Sequence, residues 1–384
     1  MMKKIAVYPY SMEFNSVLKN LNFLDAEYEI RSLISPKGLQ NNKQTIDFGG
    51  GKSIRLYSDL SEGLDESNTL LIPDFKTSHA NVLPLEQKII ESIIPILKDL
   101  EYLLCCTRLE DNYLALLKEA CEENDCKFIY WAEIKKAQEF GFGKEVIAYL
   151  KINQELEEIN TPIVAIAGMY YNTNKFDVSL TIGRMFLEKG YKVAQIGSSN
   201  YSELFGVHQF PSFMFDPDMD GTMKILLFNR YVKRIEQEES PDIIILGIPG
   251  AVQNLSGKYT MGFAMTPYMA LSAVLVDYFI VCSYFEFLDE LFEKISLMCE
   301  YKFGCPVDCY HISNLAIDMA ATSERKRIVA NYFGPDFVKE NFMKMRDAET
   351  PRLNLLEVES QKKLFGLILD KIACDFGVMR RNDL

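Results

Sequence analysis

The sequence predicts an α/β protein built from two α/β domains, the first of them doubly wound, and three observations carry that expectation. Short β-type runs alternate with helical patterns from the first residues onward. The alternation stops at a charged, helix-prone stretch and then begins again. At 384 residues, the chain is also long enough for two or more cores at about 100–200 residues each.

In chain order, β-type runs fall at Ile5 to Tyr8, Tyr28 to Ile34, Thr69 to Ile72, Tyr102 to Cys106 and Lys127 to Tyr130, with a helical pattern at Leu85 to Leu100. Parallel strands need crossover helices, so this grammar predicts a Rossmann or flavodoxin-like doubly wound domain over residues 1–135. Thr45 to Tyr57 reads as an inserted hairpin with its glycines at the turn. Glu139 to Ile159 is charged and helix-prone, which makes 136–160 a helical connector ending at Thr161 and Pro162. Residues 161–384 then restart with strand Ile163 to Ala167, a polar loop, helix Phe176 to Lys189 closed by Gly190, and strand Lys192 to Ile196. This is a unit of the mononucleotide-binding type. Later strands fit Ile243 to Leu246, Tyr278 to Cys282 and Pro306 to His311, and Glu359 to Phe376 reads as a terminal amphipathic helix.

Composition narrows the function classes. Lys plus Arg total 41 against 54 Asp plus Glu, a net charge of −13, and 48% of residues are hydrophobic. Such a chain folds, and its charge disfavours nucleic acid and anionic membrane as partners. The N-terminus lacks the pattern of a signal peptide, and the apolar runs are too short to span a bilayer. A cytoplasmic location with its nine cysteines as free thiols is expected.

The chemistry concentrates in the loop after Ile163 to Ala167: Gly168, Met169, Tyr170, Tyr171, Asn172, Thr173, Asn174, Lys175, then Phe176. A glycine, five residues, a turn-former and a lysine opening a helix is the spacing of a stretched P-loop. Such a loop turns backbone N–H groups inward, the helix N-terminus adds positive potential, and the lysine reaches β and γ phosphates. The competing reading is a plain strand-to-helix turn with Lys175 in solvent. The loop resembles that of dethiobiotin synthetase and its relatives in the SIMIBI class of P-loop proteins, whose spacer is followed by Gly-Lys-Thr. The resemblance implies a P-loop-NTPase-like second domain taking ATP or GTP at Gly168, Asn172, Thr173, Asn174 and Lys175. Two of its three closing positions differ here. Asn174 is a tolerable glycine substitute because Asn enters the left-handed region, whereas Phe176 replaces the hydroxyl that would hold Mg²⁺. Pro241 to Gly250 is similar to the relatives' strand ending in Glu-Gly-x-Gly-Gly, which brings Gly247 and Gly250 into the site but offers no acid. Phosphate binding with weak or absent hydrolysis is the expectation.

Other candidates are weaker. Asp216 to Gly221 imitates half of a calcium loop, but its twelfth position is Leu227, so a helix N-cap cluster is favoured, with Asp218 and Asp220 as substitute metal ligands. Gly49 to Ser53 and Ser256 to Lys258 lack the right flanks for a phosphate loop. Cys299, Cys305, Cys309 and His311 lack paired ligands, so no zinc is expected. Of three histidines, His79, His208 and His311, only His208 is placed in a loop of the second domain.

Residues 163–333 also resemble a bacterial protein family of ribosomal peptide (RiPP) maturation systems, through Lys175-Phe176, Phe186 to Ile196, Phe210 to Phe215 and Pro241 to Gly250. That resemblance implies a Cys-rich precursor peptide or a radical SAM maturase as partner. A non-catalytic scaffold and a small-molecule enzyme with an interdomain cleft stay open beside it.

Overall fold

The computed structural model describes residues 2–11, 14–35, 45–49, 52–74, 82–285, 289–325, 328–334, 337–338, 340, 350–355 and 357–378. His79, Gly50 and Gly51 lie outside these residues. The fold is mixed α/β, with two sheets dominated by parallel pairing. The chain divides into two compact units, one of Met1–Glu133 with Asn200–Gly206, and a second of Ile134–Ser199 with Val207–Leu384.

In the first unit, strands β1 (Lys3–Val7), β2 (Tyr28–Ile34), β3 (Thr45–Gly49), β4 (Lys52–Tyr57), β5 (Thr69–Ile72), β6 (Tyr102–Cys105) and β7 (Lys127–Tyr130) form one sheet in the order β3-β4-β2-β1-β5-β6-β7. β3 and β4 pair antiparallel, as a hairpin at the edge. The other neighbours are parallel, and their order, outward from β1 to β2 and β4 on one side and to β5, β6 and β7 on the other, is that of a dinucleotide-type doubly wound sheet. Leu70, Leu71 and Ile72 are fully buried, as a strand covered on both faces requires. The single helix expected at Leu85 to Leu100 is instead α-helix Val82–Ile93 followed by 3-10 turns at Ile94–Asp99. Pro95 has no N–H for an α-helical bond and crowds the carbonyl four residues back, so the helix tightens there.

Asn200–Gly206 packs against residues that flank the strands of this sheet. Asn200 Nδ2 donates to Cys106 O (2.9 Å), Asp74 N donates to Tyr201 Oη (2.8 Å) and Asp25 N donates to Leu204 O (2.9 Å). The Tyr201 ring meets Phe14 edge-on at 5.6 Å.

The second unit carries β8 (Ile163–Gly168), β9 (Val193–Gly197), β10 (His208–Gln209), β11 (Ile243–Gly247), β12 (Tyr278–Ser283) and β13 (Cys309–Ile312). β14 (Leu315–Ile317) and β15 (Ala330–Tyr332) make a small antiparallel sheet, and β16 (Arg352–Leu353) closes the main one. The main sheet runs β10-β9-β11-β8-β12-β13-β16, parallel throughout. Helices Gly221–Glu239, Met265–Ala273 and Asp289–Phe303 cover one face through residues such as Leu227, Ala270 and Phe292. Helices Lys175–Glu188 and Val358–Val378 cover the other through Val178, Ile182, Leu364 and Ile368. β8 lies in the middle with all six residues buried, and the chain leaves it toward β9 on one side and later reaches β12 on the other. The loop after β8 therefore stands where the winding reverses, the place where open α/β sheets take ligands.

The connector corrects the expectation of one long helix. Only Lys144–Ile152 is α-helical, after a 3-10 turn at Ala137–Phe140. From residue 153 to 160 the chain has no regular structure. Glu157 N donates to Asn229 Oδ1 (2.8 Å), while Asn160 N and Thr161 N donate to Glu236 Oε1 (2.6 and 2.7 Å). Backbone donors taken by another helix's side chains cannot bond within their own. His208 is corrected too: it lies in β10 opposite Ile196, with Nε2 against the Glu239 carboxylate.

Candidate functional site

Gly168 ends β8, and the loop then curls back over it. A Cβ built there would stand 2.5 Å from Tyr170 O, 2.6 Å from Thr173 Oγ1 and 3.4 Å from Lys175 Nζ, so the position admits glycine alone. Two asparagines supply the bends: Asn172 at φ 57° and Asn174 at φ 61°, both left-handed. Asparagine is the residue that best replaces glycine in that region. Asn174 is the N-cap of helix Lys175–Glu188, and its Nδ2 donates to Asp177 Oδ2 (2.8 Å). Thr173 is fully buried inside the curl and donates to Tyr170 O (3.3 Å).

The loop is braced from behind. Met169 N continues the ladder to Cys282 O (2.7 Å), and Val252 N donates to Gly168 O (2.9 Å). Tyr284, fully buried, donates to Tyr171 O (2.7 Å) and stacks on Tyr170, whose hydroxyl accepts from Gln253 Nε2 (2.9 Å). Sequence reasoning does not single out Tyr284, Gln253 or Cys282. Their only signal is position, at or just beyond the ends of strands β11 and β12.

Lys175 is not the solvent-exposed side chain of the plain-turn reading. The residue retains some exposure, yet its ammonium is enclosed within the loop and donates to Gly250 O (2.9 Å). Burial pushes its pKa down from 10.5 to about 8, with the neighbouring Cys282 thiol acting weakly the other way. Burial likewise pushes the Cys282 thiol up. Gly250, at φ 90°, belongs to the turn after β11 and so presents its carbonyl to the amine. Gly168, Thr173, Asn174, Lys175 and Gly250 thus come together, with Asn172 on the exposed rim.

The positions that would hold a metal are filled differently. Phe176 is buried in the first turn of the helix. Gly247 is tightly enclosed: a Cβ would lie 3.1 Å from both Ile196 O and Ser198 N and 3.4 Å from Ser179 Oγ. Asp218 is exposed and pairs with Lys136 (3.3 Å), which also holds Asp216 (3.0 Å). Burial alone would raise the Asp216 carboxyl, but the Asp218 N–H and the Lys136 ammonium outweigh it and hold it below the usual range. Asp220 Oδ1 accepts from Met223 N (2.9 Å) and caps helix Gly221–Glu239. Cys299 and Cys309 pack into clusters on opposite faces of the sheet. His311 is fully buried, accepting from Leu355 N at Nδ1 (3.0 Å). Among the described residues, no group of three or more His, Cys, Asp or Glu side chains is placed to hold a metal. Among them, too, no helix is long and apolar enough to cross a membrane.

No protein-family model matches the sequence, and no curated protein matches it. Among solved structures, a DUF1611 family protein from Anabaena variabilis is similar at TM-score 0.59 and 12% identity, over 96% of this chain and 99% of that one. That likeness shows the fold, along nearly the whole length of both chains. A cobyrinic acid a,c-diamide synthase from Mycobacterium smegmatis, with bound ADP and magnesium, aligns at TM-score 0.29 and 13% identity over 50% of this chain and 84% of that one, too distant to carry an argument.

Proposed function

We propose that the second unit binds the phosphate chain of a nucleotide, ATP or GTP, or of a related ligand, in the loop from Gly168 to Lys175, with weak or no hydrolysis. The observation that carries this reading is the ammonium of Lys175, enclosed over Gly168 with a neutral carbonyl as its hydrogen-bond partner. A buried charge without a countercharge is costly, and a bound anion supplies one. The N-terminus of a 14-residue helix, with its positive dipole end, faces the same place. Weak hydrolysis is supported by Phe176 and Gly247, neither of which offers a side-chain oxygen to Mg²⁺, and by Asp218 and Asp220 being otherwise engaged.

Calorimetric titration of ATP and GTP, with and without Mg²⁺, into wild type and Lys175→Ala tests this. Loss of the ammonium should weaken binding by about 1.5–3 kcal/mol, the scale of a charge-assisted hydrogen bond. Absence of binding to wild type at millimolar concentration overturns it and leaves the loop as a structural turn in a scaffold protein. A role in peptide maturation, with a Cys-rich precursor or a radical SAM maturase as partner, is supported by the sequence strings alone. Co-purification with those partners is its test.

A further inference from the structure

The chain from Gly250 to the helix Met265–Ala273 contains four consecutive residues in the left-handed region: Met261 (φ 50°), Gly262 (φ 67°), Phe263 (φ 55°) and Ala264 (φ 59°). Three are not glycine, and each such residue is strained by the clash of its Cβ with the following carbonyl. The ends of this turn are anchored, since Met261 and Ala264 are buried, while Phe263 between them is 60% exposed. The Phe263 ring has no aromatic partner among the described residues, and Lys302 Nζ fixes its carbonyl from outside (3.4 Å). Burial of Phe263 therefore does not offset the strain. What the turn achieves is to hold a bare aromatic ring outward on a fixed backbone.

The turn borders the loop described above through Tyr171, since a Cβ on Gly262 would stand 3.7 Å from Tyr171 Oη. The helix that follows the turn also approaches the site, since a Cβ on Gly250, whose carbonyl receives Lys175, would stand 3.3 Å from Pro267 Cδ. Tyr171 is itself 39% exposed on the loop rim. A phosphate cradle thus has an aromatic rim, and a ligand that fills both has a polyanionic end and a flat π face at the other.

Resting on the phosphate-binding reading of the loop, we infer that Phe263 is the stacking platform for the base of a nucleotide whose phosphates lie over Lys175. The ring's exposure lets it accept any base by its face, so the platform supplies affinity for a base rather than a choice between bases.

The test titrates wild type, Phe263→Ala and Phe263→Tyr with ATP and with inorganic tripolyphosphate. Phe263→Ala should weaken ATP about tenfold or more while leaving tripolyphosphate within about twofold, and Phe263→Tyr should keep ATP affinity. Because the side chain is mostly exposed, the folded state survives, and circular dichroism of each variant checks it. If wild type binds tripolyphosphate and Phe263→Ala leaves ATP unchanged, the platform is refuted and the phosphate loop stands. Equal weakening of both ligands also refutes it, since the turn would then be shaping the cradle. If wild type binds neither ligand, the loop reading fails and this inference falls with it.

Discussion

Lys175→Met should make the ligand-free protein more stable and at the same time a poorer binder of anions. The ammonium is enclosed, and its pKa falls from 10.5 to about 8. At roughly 1.4 kcal/mol per unit, holding that charge in place costs the fold on the order of 3 kcal/mol at neutral pH. Methionine comes within one atom of the length of the side chain without its charge. The substitution also leaves Gly250 O without its donor at 2.9 Å, a loss of about 1–2 kcal/mol. A net gain of about 1–2 kcal/mol remains. Its pH dependence has a definite sign. The folded-state pKa lies below the unfolded one, so wild type bears the full penalty up to about pH 8, sheds it as pH rises, and is free of it above 10.5. The advantage of the variant is therefore constant below about pH 8 and shrinks above it. Urea unfolding of both proteins near pH 7, 9 and 10 reads this directly. A variant less stable than wild type at pH 7, or an advantage that does not shrink with pH, would refute the account of Lys175 as an uncompensated buried charge.

Other outcomes follow from the same geometry. Gly168→Ala places a methyl 2.5 Å from the Tyr170 carbonyl, which is backbone and cannot step aside; calorimetry should show phosphate binding lost, and urea unfolding a penalty of about 1–3 kcal/mol. Asp220→Ala removes the cap of helix Gly221–Glu239 and should cost about 1 kcal/mol in unfolding experiments, leaving any Mg²⁺ dependence of nucleotide binding unchanged. Burial lowers His311 from 6.5 to about 3, so the stability it contributes is whole above 6.5 and falls as pH drops toward 3. His311→Gln keeps an acceptor for Leu355 N but cannot take the proton, and acid unfolding followed by circular dichroism should show a shallower decline for it than for wild type.

The core strands are legible in the sequence because their signal is local. Ile163 to Ala167 is an unbroken apolar run, and the glycine and asparagines after it belong to residue types that bend backbone sharply. The connector misleads because helix propensity at 153–160 is overridden by Asn229 and Glu236, which lie more than 70 residues away and bond its backbone. β10 and β16 have two residues each, too few for any periodicity to show. In the site, the loop can be found from spacing, but the carbonyl partner of Lys175 lies 75 residues further along the chain. The turn at Met261 to Ala264 gives no sign beyond Gly262, since Met, Phe and Ala are not residues that seek the left-handed region.

The seating of Asn200–Gly206 means that the first unit is not encoded by one continuous stretch of gene. A fragment ending at residue 133 would lack the Tyr201 hydroxyl that receives Asp74 N, the ring beside Phe14 and the carbonyl that receives Asp25 N. Dividing the protein at the connector therefore yields two unequal pieces: one missing part of its own interior, the other carrying that part as an orphaned loop. A short peptide spanning the segment, added in trans, is the natural complement for the truncated piece. Recombination that exchanges the first unit between related chains must carry the distant segment with it, so insertions and crossovers between residues 134 and 199 are constrained in a way that a simple two-bead arrangement would not impose.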